Sequence, residues 1–109
     1  MTTTTRLDHV TSRNTARAAA RTRAEADLYE TIRDAGRDAM QSGKDIAAAE
    51  REHARNVAAH PGSSSDAWVN AGASRVLGLA PRWEPVFLRE YDRATTRAAR
   101  HFLDVVSPE

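Results

Sequence analysis

Cysteine is absent from this sequence, lysine occurs once as Lys44, and aromatic residues are scarce, with two each of Trp, Tyr and Phe. Without cysteine there is no disulfide framework, no thiolate nucleophile and no cysteine-ligated zinc site. Glycine and proline are also sparse, and neither occurs before Gly36, so nothing in the first third of the chain interrupts a helix. No apolar run approaches the roughly 20 residues that cross a bilayer. The opening Met1-Thr2-Thr3-Thr4-Thr5-Arg6 lacks the apolar stretch of a signal peptide, so no membrane association and a cytoplasmic location are expected. The glycines form no phosphate loop, Ser63-Ser64-Ser65 has no base beside it, and His9, His60 and His101 stand isolated. The chain therefore reads as non-enzymatic, with no cofactor implied.

What is present suits a folded domain. Hydrophobic residues make up 40% and charged residues 28% of 109 residues, near the averages for globular proteins and enough for one core. Alanine fills about a fifth of the chain and arginine supplies nearly all the positive charge. Such a bias follows from a GC-rich genome as readily as from phosphate binding, and the net charge of +1 is far from that of a strongly basic nucleic-acid binder. Placement is more informative than number. Residues 1–23 carry Arg6, Arg13, Arg17, Arg21 and Arg23 against Asp8 alone, whereas residues 24–66 hold an acidic excess.

The patterning predicts an all-α, four-helix single domain over residues 11–109, preceded by a flexible tail at 1–10 that has no period. Thr11, Ser12 and Asn14 are candidate N-caps. Ala16, Ala20, Ala24, Leu28, Ile32, Ala35 and Ala39 recur at helical spacing, giving a long first helix over about 13–41 that Ser42-Gly43 ends. Ser42 followed three residues later by Asp45 resembles a capping box with Asp in place of Glu or Gln, which would start a second helix over about 44–59. His60-Pro61-Gly62 with the three serines is the clearest loop. A third helix is expected over 66–78, carrying Trp68, Val69, Val76 and Leu77. A fourth runs over 84–106, with Pro85 in its first turn. Large apolar side chains are concentrated between Trp68 and Val106, so the core is expected mainly in the C-terminal half. There the last helices should meet Leu28, Ile32, Met40, Ile46 and Val57.

Two arginine stripes are the candidate binding residues. On the last helix Phe87, Tyr91, Ala94, Ala98, Phe102 and Val105 form one face. Arg89, Arg93, Arg97 and Arg100 form another roughly opposite, partly neutralised by Glu90 and Asp92. An ordinary solvated face and a phosphate-contacting ridge both fit this spacing, since arginines one turn apart repeat every ~5–6 Å. On the first helix, a straight-wheel projection puts Arg13, Arg17 and Arg21 in line with Leu28, Ile32, Ala35 and Ala39. One stripe thus changes from basic to apolar. A straight helix cannot bury both halves without stranding guanidinium groups. Either the helix breaks near Thr22 or its first half overhangs as a free basic arm, dispensable for folding and available to a partner.

Other motifs are weaker. Ile46-Ala47-Ala48-Ala49 with Val57 resembles the apolar skeleton of a helix-turn-helix, but Glu50-Arg51-Glu52-His53-Ala54-Arg55 continues as helix where that motif turns. Glu50 and His53 have the Glu-x-x-His spacing of di-iron bundles, yet no second copy exists. A hydrogen-bonded polar spot beside the core, with an arginine as partner, is the expectation. The mid-chain Trp68 invites comparison with secreted helical hairpins of the WXG type, which Trp68-Val69-Asn70 does not match at the glycine. The sequence thus supports a small nucleic-acid-binding or regulatory protein using its arginine stripes. The alternative is a helical protein-interaction module, an inhibitor, antitoxin-like partner or assembly component, with homo-oligomerisation expected.

Overall fold

Ser12 starts the structure's dominant element. Its hydroxyl accepts the Thr15 amide at 3.2 Å while its own amide donates to the Thr15 hydroxyl at 3.0 Å, a reciprocal cap that satisfies two otherwise orphaned donors. From there a single helix, α1, runs unbroken over Arg13–Gln41. The computed structural model describes residues 6–106, and every regular element among them is helical. Helix α2 spans Ile46–Ala59, capped by the Asp45 side chain on the Ala48 amide at 3.1 Å. The expected third helix is divided. Gly72, in the left-handed region at φ 75°, separates α3 (Asp66–Ala71) from α4 (Ala73–Leu77). A 3-10 turn at Pro81–Trp83 leads directly into α5, Glu84–Val106.

Helix α2 folds back antiparallel on α1, bringing His53 to Thr31 and Glu50 to Gly36. Helix α5 runs alongside α1 in the same direction, because contacts advance together along both, from Arg17 with Glu90 to Tyr29 with Phe102. The α1–α5 interface is the most extensive in the fold. It is made of small side chains. Ala16, Ala20 and Ala24 of α1 are wholly buried against a cluster containing Phe87, Tyr91 and Ala94. Further along, Leu28 and Ile32 meet Ala54 of α2 and Ala98 and Ala99 of α5.

Three expectations are corrected here. First, the core does not belong mainly to the C-terminal half: the alanine-rich start of α1 is one wall of it. Second, helix α1 neither breaks near Thr22 nor overhangs. Its buried row, Ala16, Ala20, Ala24, Leu28, Ile32 and Gly36, advances by four residues each time, and each such step turns the contact by about 40° around the helix. The core-facing direction therefore winds around α1. Arg17 shares a wheel angle with Leu28, but at the level of Arg17 the core lies elsewhere. Third, residues 6–10 do not form a loose tail. Leu7 and Val10 are buried, and the Leu7 amide donates to the Leu77 carbonyl at 2.6 Å; residues 1–5 of the expected tail lie outside the described residues. Met40, Ile46, Val69 and Val76 are exposed rather than packed in the core. Met40 and Ile46 flank the α1–α2 turn, where Ile46, though largely exposed, lies with Glu50 against Gly36, which leaves no room for a larger side chain.

Candidate functional site: an arginine surface built on Glu90

The two arginine stripes meet. Glu90 occupies a core position of α5, three residues after Phe87 and four before Ala94, and its side chain is 3% exposed. A carboxylate so placed loses hydration and must be paired. Arg17 donates through Nε to Oε1 at 3.2 Å and Arg21 through Nη1 to Oε2 at 3.4 Å. From its own helix come Arg93, whose Nη1 stands 3.5 Å from Oε1, and Arg97, whose Nη2 stands 3.8 Å from Oε2. Four guanidinium groups from two helices surround one carboxylate. Burial pushes the Glu90 carboxyl upward, but the hydrogen bonds and charges of Arg17 and then Arg21 outweigh it, so its pKa lies below the ordinary 4.5 and the group is ionised at neutral pH.

The guanidinium groups keep one side in water. Arg17 and Arg21 are about 40% exposed and Arg93 and Arg97 nearly 60%. One carboxylate cannot neutralise four cations, so the cluster retains a positive excess at the surface. Arg13 and Arg89 extend it, lining one groove with Arg17, Glu90 and Arg93. On the far side of α5 a wider cleft of about 730 Å³ is formed with the Pro61-Gly62 turn, and Arg89, Arg93, Arg97 and Arg100 line it. The groove and the cleft share Arg89 and Arg93, and Arg21 joins them through Glu90, while Asp92 and Asp104 line the cleft among its arginines. Along α5, Arg89 to Arg100 spans about 16 Å.

Glu90 and Asp92 do not act as equal neutralising partners of this face. Glu90 lies beneath it. Asp92 is directed to the turn before α3, where its carboxylate accepts the Ser65 amide at 2.6 Å and the Ser65 hydroxyl at 2.8 Å. The spacing of Glu90 from Phe87 and Ala94 was the signal that places it in the apolar row.

A second polar network lies across the interface. The Tyr91 hydroxyl donates to Asp27 at 2.6 Å, and Arg23 bridges to Asp27 at 3.2 Å while covering the Trp68 ring at 5.1 Å. Burial, followed by the hydrogen bond to Asp27, pushes the Tyr91 phenol far up, so it remains a neutral donor. These contacts pin α3 to the α1–α5 pair and present no free reactive group. At the α1–α2 contact, His53 and the Thr31 hydroxyl are joined by a 2.9 Å hydrogen bond. The polar partner there is a threonine rather than the expected arginine. Among the described residues no three His, Cys, Asp or Glu side chains gather as a metal site, and no helix is long and apolar enough to cross a membrane. No known family model matches the chain, and no curated protein or solved structure matches it either.

Proposed function

We propose that this protein binds nucleic acid through the phosphate backbone, using the arginine surface of α1 and α5. The observation that carries this reading is the convergence of Arg17, Arg21, Arg93 and Arg97 on the single buried carboxylate of Glu90, with Arg13, Arg89 and Arg100 on the same surface. Guanidinium groups held in place before a ligand arrives lose less conformational freedom on binding it. Their excess charge favours a polyanion. Fluorescence anisotropy of a labelled oligonucleotide tests the reading. Affinity is expected to fall with salt at a log–log slope of roughly −0.9 per neutralised phosphate on duplex DNA, or about −0.7 on a single strand. Replacing Arg89 and Arg100 by Ala is expected to reduce the magnitude of that slope by about one for each phosphate no longer neutralised. Absence of binding at low salt would end this reading.

The alternative, a helical protein-interaction module, is favoured by a different surface. Ala18, Ala19, Thr22 and Ala26 of α1, with Leu7 and Leu77, line a shallow groove of about 540 Å³. A protein partner or second copy seated on these small side chains would persist at high salt, since apolar burial is little screened. Sedimentation and pull-down at high ionic strength separate this outcome from the first.

A further inference from the structure

A groove between α1 and α5 adjoins the arginine ridge, and its lining differs from the rest of that surface. It measures about 400 Å³, within the range of small-ligand sites, and is bounded by Glu25, Tyr29, Ala94, Arg97, Ala98 and His101. Ala94 and Ala98 are buried and short, which sinks the floor between the two helices. Tyr29 is half-buried and braced from behind by Phe102, the rings 6.4 Å apart and inclined at 59°. Its orientation is therefore fixed by packing. Glu25 lies one turn earlier on α1 and offers only acceptor oxygens once ionised. Arg97 belongs both to this groove and to the guanidinium cluster around Glu90. His101, one turn further along α5, also lines the outer cleft.

We infer that this groove receives one unpaired nucleobase, so that the nucleic acid bound by the arginine surface is single-stranded. This rests on the phosphate-binding reading above and adds the chemistry of the base. A braced aromatic face offers stacking to any base plane. A carboxylate beside it accepts hydrogen bonds from an exocyclic amino group, as carboxylates do from cytosine. The guanidinium at the lip holds the adjoining phosphate. In a duplex one amino hydrogen stays open in the major groove, but the base plane is stacked on its neighbours, so the Tyr29 face cannot be used without extruding the base.

The test compares a labelled oligodeoxyadenylate about 12 nucleotides long, within the span of known single-strand sites, with its duplex on oligodeoxythymidylate. Both are titrated at low salt against the full chain and against Tyr29→Leu and Tyr29→Phe. The single strand is expected to bind about tenfold more tightly than the duplex. Tyr29→Leu should weaken single-strand binding by about tenfold, the order of one base–aromatic stack, and leave duplex binding unchanged. Tyr29→Phe should bind like the parent, which separates stacking from any general effect on the fold. Equal affinity for both forms, or single-strand binding untouched by Tyr29→Leu, would overturn the inference while leaving the phosphate reading in place. Failure of both forms to bind would remove the phosphate reading and the inference with it.

Discussion

Deleting residues 1–22 removes the basic half of α1, and the packing of that half sets the outcome. Leu7 and Val10 are buried, and each contributes about 1.5–3 kcal/mol by leaving water. The methyl groups of Ala16 and Ala20, both wholly buried, add about 0.8 kcal/mol each. Arg17 and Arg21 are half in solvent, so their bonds to Glu90 are discounted to about 1 kcal/mol apiece or less. The total is about 5–10 kcal/mol, against the ~5–15 kcal/mol that holds a domain of this size together. The truncated chain is therefore expected to lose cooperative unfolding altogether. Circular dichroism melts of the full and shortened chains measure this directly. If the shortened chain still melted cooperatively within about 5 °C of the parent, a shift of ~1 kcal/mol, the packing of α1 against α5 would not be the source of stability argued above.

Two further outcomes follow from individual groups. Glu90→Gln keeps the shape but removes the charge that Arg17, Arg21, Arg93 and Arg97 share, and should cost about 1–3 kcal/mol at neutral pH. Because the folded carboxyl titrates below its ordinary 4.5, its contribution is present above that value and lost as pH falls through the folded one. Urea melts should accordingly show a parent–variant gap that is full at about pH 7 and narrows as the pH falls below 4.5; a gap constant with pH would count against the pairing. Gly78→Ala meets two obstacles, a backbone at φ +70° and the Arg6 guanidinium standing where the new Cβ would go. The guanidinium ends an exposed, flexible side chain that can move aside, so the cost should stay near the roughly 1–2 kcal/mol of the left-handed conformation. Gly43, with the same φ and open space around it, provides the control: similar losses are expected at the two positions, and a clearly larger loss at Gly78 would show that Arg6 is held in place.

The extent and ends of α1 and α5 were legible in the sequence because local chemistry decides them, Ser12 and Pro85 acting within a turn of themselves; the start of α2 was displaced, since Asp45 rather than Ser42 is its cap and Ser42 closes α1. Gly72 escaped notice because the flanking residues continue a helical pattern, and only the left-handed φ, a tertiary requirement, reveals the break. The arginine residues were legible as stripes, but their meeting was not. It depends on how α1 crosses α5, and a wheel drawn on a straight axis assigns Arg17 the angle of Leu28 although the buried row winds. Alanine misled for a related reason. Its small side chain reads as having little to bury, yet Ala16, Ala20 and Ala24 are wholly buried in the cluster that holds Phe87 and Tyr91. Glu90 was the one recoverable omission, its spacing from Phe87 and Ala94 marking it as inward.

The pairing of α1 with α5 also governs how the chain acquires its structure. Arg17 and Glu90 are 73 positions apart, so the first half of α1 has no counterpart until about 70 further residues have left the ribosome, several seconds at ordinary synthesis rates. During that interval the first half of α1 has little beyond helix propensity to hold it, and its guanidinium groups lack the Glu90 carboxylate. Bringing α5 onto the first half of α1 is then the step that completes it. Contacts of such sequence separation slow folding because the entropy of loop closure is spent before they form. The surface proposed to hold nucleic acid is thus assembled last, and a chain interrupted before α5 carries the arginines of α1 without the carboxylate that organises them.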